Sequence, residues 1–88
     1  MKNEERIELF RTDDIAINCE TKQEAKQFLD WCYENGVEWH ASIKKSTHYA
    51  GKETCYSYIT HLGVGSIQHY KTEGFKIIKY KDFKKENQ

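Results

Sequence analysis

Proline is absent from this 88-residue chain, methionine occurs once, and glycine only five times. Repeats, low-complexity tracts and any recognisable linker are missing as well, so the whole of 1–88 reads as a single domain. No apolar run approaches the roughly 18 residues that a membrane-crossing helix needs, and the segment Met1-Lys2-Asn3-Glu4-Glu5-Arg6 has no signal-peptide core. Net charge is lacking too: 14 basic residues balance 14 acidic ones, which excludes a uniformly basic coat for nucleic acid. The three cysteines are odd in number and widely spaced, so a disulfide framework is not expected and a reducing cytoplasm is the expected location.

What the chain does have is rings and charges. Aromatic residues make up 14% of it (two Trp, six Tyr and four Phe) and charged residues 32%. A domain this small buries only about 60–65% of its unfolded surface, and one buried aromatic side chain removes roughly 150–250 Å² from water. A few rings therefore supply most of the core, and little volume is left for a deep catalytic pocket.

The clearest element is a helix over about 22–35. Thr21 and Glu24 have the spacing of a capping box, and Ala25, Phe28, Leu29 and Cys32 recur at helical intervals. Gly36 stands where a left-handed cap is expected. Ile15, Ile17 and Cys19 alternate as in a half-buried strand. Ile7, Leu9 and Phe10 suggest an earlier strand, and Val37 to Trp39 the start of a returning one. Cys55 to Thr60 is β-branched and aromatic, a strand, whereas His61 to Gly65 reads as a turn and Ser66 to Thr72 as a short helix or irregular strand. His40 to Thr54 suggests a strand fragment and a loop. Phe75 to Tyr80, apolar on both faces, predicts an interior last strand, and 84–88 a frayed polar tail. The expected fold is α+β: a mainly antiparallel sheet of four or five strands with one main helix on one face.

Charge divides along the chain. Residues 1–38 carry 5 basic and 10 acidic side chains, a net −5, and residues 39–88 carry 9 and 4, a net +5. All nine basic residues after Glu38 are lysine, which weakens base-specific readout because arginine is the usual fork for guanine edges. Two binding surfaces follow. Asp30, Trp31, Glu34 and Glu38 combine an aromatic anchor with negative charge, suited to a basic protein partner. Alternatively Lys71, Lys76, Lys79 and Lys81 with Tyr70 and Tyr80 could track nucleic acid, and Gly63-Val64-Gly65 could present amides to a nucleotide phosphate.

Catalytic and metal chemistry find less support. No Cys-x-x-Cys or His-x-x-x-His pair exists, so neither metal nor cofactor is expected. Cys19 and Cys32 fall in apolar phases, and for a Cys55–His61 nucleophile pair neither the positive neighbour nor the partial exposure that a thiolate requires can be read from the sequence. No enzyme is expected.

The strand Ile15-Ala16-Ile17-Asn18-Cys19, the capped helix Thr21 to Gly36, Val37-Glu38-Trp39, Thr54-Cys55-Tyr56, Gly65, Tyr70, Gly74-Phe75-Lys76-Ile77-Ile78 and Asp82-Phe83 together resemble small uncharacterised phage and prophage proteins of Gram-positive bacteria, over roughly 14–83. The resemblance contains no catalytic signature. It implies an accessory protein that binds and inhibits or redirects a host or antiviral-defence protein, as anti-CRISPR proteins do. The alternative is a protein that binds a nucleotide or nucleic acid. Membranes are not an expected partner, and the oligomeric state stays open.

Overall fold

The computed structural model describes residues 3–39, 48–58 and 62–85. In chain order they form α1 (Asn3–Thr12), β1 (Ile15–Asn18), α2 (Lys22–Glu34), β2 (Thr54–Tyr58), β3 (Leu62–Ser66), α3 (Ile67–Thr72), β4 (Lys76–Lys79) and α4 (Tyr80–Lys85). The strands make one mixed sheet in the order β3-β2-β1-β4. β2 is antiparallel to both β1 and β3, and β4 runs parallel to β1. The α+β architecture matches the sequence reading, with four helices where one main helix was expected.

Register assigns the faces. Ile17, Tyr56, Val64 and Ile78 share one face, and Ala16, Cys55, Gly65 and Ile77 fall on the two-residue-alternate positions of the other. The first face carries the main core beneath α1, α2 and α4, while α3 lays Tyr70 on the second, against Ala16 and Cys55. β1 is buried along its whole length, as a central strand covered on both faces must be.

α2 folds as its spacing dictates. Thr21 Oγ1 accepts from the Glu24 amide at 3.1 Å. The Glu24 carboxylate reaches one residue further back than the usual box and accepts from the Glu20 amide at 2.9 Å. Ala25, Phe28, Leu29 and Cys32 are buried, and Gly36 follows Asn35 with φ +76°.

Phe28 is the hub of the core. Its ring lies 5.3 Å from that of Phe10 in α1, 5.8 Å from Tyr56 in β2, 6.0 Å from Tyr80 and 6.1 Å from Phe83 in α4, and 5.8 Å from Trp31 one turn along α2. Most of these pairs are edge-on or tilted, the arrangements that ring quadrupoles favour.

Several expectations are corrected. Ile7, Leu9 and Phe10 lie in a helix, α1: Arg6 and Phe10, four apart, are buried, while Glu4, Glu5, Glu8 and Arg11 are exposed. That is a 3.6-residue pattern, and the adjacency of Leu9 and Phe10 already breaks strand alternation. The stretch Val37 to Trp39 is not a strand. Val37 and Trp39 are buried, Trp39 Nε1 donates to the Tyr33 hydroxyl, and the Glu38 carbonyl accepts from the Leu62 amide. Gly63 to Gly65 is strand, not turn, because pairing with β2 overrides the weak β-propensity of glycine. β2 ends at Tyr58, and 59–61 lie outside the described residues, as do 40–47 of the expected strand fragment; 48–53 form no strand. β4 is an edge strand, not an interior one. Both its faces meet apolar neighbours, but burial of faces does not require a second strand alongside. Lys84 and Lys85 belong to α4 and not to a tail, and 86–88 lie outside the described residues.

Phe28→Ala removes the ring that joins α1, α4 and the sheet. We expect it to cost about 3–5 kcal/mol, read as a lower denaturation midpoint in urea with secondary structure retained below the transition.

Candidate functional site

The acidic candidates sit on and just beyond α2. Asp30, Trp31 and Glu34 share one side of the helix by their three- and four-residue spacings. Asp30 accepts from Lys26 Nζ at 2.9 Å, an exposed pair of small energetic weight. Glu34 is exposed. Trp31 is half-buried and held from behind. Phe28 stacks on it, Phe83 meets it edge-on at 5.5 Å, and the Arg6 guanidinium lies 5.9 Å from its ring. Arg6 also donates to the Phe83 and Lys84 carbonyls at 3.4 and 3.3 Å, so its charge serves the last turn of α4. Glu38 is exposed but stands past the end of α2, beside the Trp39–Tyr33 contact and the start of β3. The structure thus gathers three of the four residues closely and puts the fourth at the margin.

The basic candidates are divided more sharply. Lys71, Lys76, Lys79 and Lys81 are exposed. Tyr70 and Tyr80, at 5% and 8% exposure, present no ring face for a base to stack upon. Burial raises the pKa of both phenols above the usual tyrosine range; the Ser57 hydrogen bond partly offsets this for Tyr70, and nearby Arg6 does so for Tyr80. Lys79 pairs with Glu20 at 3.3 Å, and α4, from the basic half of the chain, packs on α1 and α2 from the acidic half. The two halves therefore interleave in space.

Gly63 and Gly65 have a structural purpose. Both lie in β3 on the face covered by α3, beneath the Tyr70 ring. A Cβ at Gly65 would stand 3.0 Å from His69 Cδ2 and 3.2 Å from Tyr70 Cε2, whereas one at Gly63 would meet Ser57 Oγ and Tyr70 Oη at an ordinary 3.6 Å. The missing side chains let Tyr70 reach Ser57, whose Oγ donates to the phenol at 2.8 Å. The pair of glycines is a seat for an aromatic ring, and its amides lie in a strand.

All three thiols are buried. Cys55 faces Ala16 and Tyr70, and its pKa is pushed up to about 11, chiefly by burial, with Glu53 adding to the rise and an Asn18 hydrogen bond opposing it. Burial raises Cys19 and Cys32 further. None is a thiolate at neutral pH, so Cys55 is not an activated nucleophile; His61 lies outside the described residues.

Sequence reasoning missed two features. Lys84 is exposed on α4, not in a tail, and Arg6 is buried; only its four-residue spacing from Phe10 hinted at this. A groove of about 520 Å³ opens beside Val64 and Ser66, bounded by His48, Ala50 and Lys52. Among the described residues no helix is long and apolar enough to cross a membrane. No family model, curated protein or solved structure matches the chain.

Two outcomes follow. Gly65→Ala should destabilise the fold by about 1 kcal/mol or more through overpacking against Tyr70, while Gly63→Ala should be close to neutral in the same chemical melt. Stability should also fall with rising alkali. The raised thiols keep their protons in the native state while unfolded thiols lose them above about pH 8.5, so the unfolded state binds fewer protons and is favoured. The urea midpoint should hold steady from pH 6 to 8 and drop between pH 9 and 11.

Proposed function

We propose that this protein is a non-catalytic binding module that docks a basic surface of a partner protein through Asp30, Trp31 and Glu34, with Glu38 at the rim. The observation that carries the reading is the state of Trp31. Phe28, Phe83 and Arg6 fix its ring from behind while part of it stays exposed beside carboxylates. Such a ring contributes contact area with little ordering cost on association, and aromatic anchors of this kind dominate many interfaces. The carboxylates steer a basic partner toward it. The deprotonation-resistant thiols support the same reading, since they leave the described cysteines without nucleophilic character at neutral pH.

The partner we propose is a host or antiviral-defence protein of a bacterial cytoplasm, met during phage infection and inhibited or redirected by occupancy alone. This part of the reading rests on the resemblance over 14–83. Affinity capture from a bacterial lysate, with wild type beside Trp31→Ala and Glu34→Lys, tests it. We expect at least a tenfold loss of the retained protein with either variant, and a smaller loss with Glu38→Lys. Undiminished capture by Glu34→Lys would remove this surface, and substrate turnover by the purified protein would remove the non-catalytic reading.

A further inference from the structure

A second concentration of charge, positive in sign, lies on β4 and α4. Residues 76–84 hold four lysines and a single carboxylate, Asp82, and the structure exposes all four: Lys76 and Lys79 on β4, Lys81 and Lys84 on α4. Their placement follows from packing. β4 is the sheet's edge, so its lysines stand at the rim, Lys76 on the face of Ile78, where α4 packs, and Lys79, three residues on, on the opposite face. α4 starts at Tyr80 without an intervening turn, and burial of Tyr80 and Phe83 turns the helix so that Lys81 and Lys84, three apart, lie on its outer side. Lys84 Nζ is held 5.4 Å above the Tyr80 ring. Among the described residues Lys79 pairs with Glu20 at 3.3 Å, an exposed carboxylate, where solvent and salt weaken the attraction.

We infer that β4 and α4 form a contact surface for the phosphodiester backbone of a nucleic-acid duplex, a role beyond the protein docking proposed above and independent of it. Lysine is a compact point charge suited to phosphate oxygens and poorly suited to bidentate reading of base edges, so the contact is insensitive to sequence. A duplex fits better than a single strand because single-strand binders rely on exposed rings for stacking, and the tyrosines nearest this row, Tyr70 and Tyr80, are spent in the core. The edge position serves the same end: among the described residues no strand pairs with the outer side of β4. Because the whole chain has no net charge, the attraction is local and short-ranged, and it fades quickly as salt rises.

Fluorescence anisotropy with a labelled 20-base-pair DNA duplex, from 20 to 200 mM NaCl, tests the inference. Binding at 20 mM should weaken linearly in log–log form, with a slope of about −0.9 for each lysine engaged. Lys76→Gln, Lys81→Gln and Lys84→Gln should each flatten the slope by about one unit and weaken binding of two unrelated duplexes equally. Circular dichroism of each variant separates loss of contact from loss of fold, and folded variants that bind as wild type does would overturn the inference. So would absence of binding at 20 mM NaCl, tighter binding of a single strand of equal length, or more than tenfold discrimination between the two duplexes.

Discussion

The ring of Phe28 is the constraint on which the rest of the molecule depends. In a chain this short, one side chain touches α1 through Phe10, the sheet through Tyr56 and α4 through Tyr80 and Phe83. It stands at the centre of the helical layer, so the positions of α1 and α4 on the sheet are set jointly. Trp31 and Arg6 complete the arrangement. The guanidinium sits near two rings and binds the carbonyls at the end of α4, so a buried charge is compensated by aromatic faces and by carbonyl oxygens.

That packing decides what the surface can offer. Most of the tyrosines fasten one segment to another. The Tyr56 hydroxyl donates to the His48 carbonyl, Tyr49 donates to Glu20, and Tyr70 meets Ser57. Trp31 differs, because its inner face is fixed and its outer part remains exposed among carboxylates. The lysines of β4 and α4 are the counterpart at the sheet edge, where they also discourage edge-to-edge pairing of sheets. The interleaving of the acidic and basic halves means that the two surfaces are local features and not two poles of one dipole.

Much of the architecture was legible in the residues. α2 announced itself through Thr21, Glu24, its apolar stripe and Gly36; β1 and β2 did so through alternation and β-branched or aromatic content. These signals are local, carried by side chains within one or two turns of each other. The misread elements depend on distant partners. α1 required the knowledge that Arg6 is buried against rings some 25 and 77 residues away in the chain. β3 became a strand because β2 pairs with it, and Gly63 and Gly65 were needed by Tyr70. The edge position of β4 was invisible because its faces are covered by helices on both sides. At the candidate site, residue type located the acidic helix end, but only packing separated the exposed lysines from the buried tyrosines beside them.

Composition and periodicity by themselves determined a small α+β fold, an aromatic core, a capped helix over about 22–35, and cysteines too scattered for a disulfide framework. Those properties rest on covalent order and on interactions within a few residues. The tertiary structure alone decided which rings are spent inside, that Arg6 is buried, that the glycine pair seats a tyrosine, and that the two oppositely charged halves share one layer. Each of these turns on which distant segments meet, and burial, unlike helical or strand periodicity, is a property of the assembled fold.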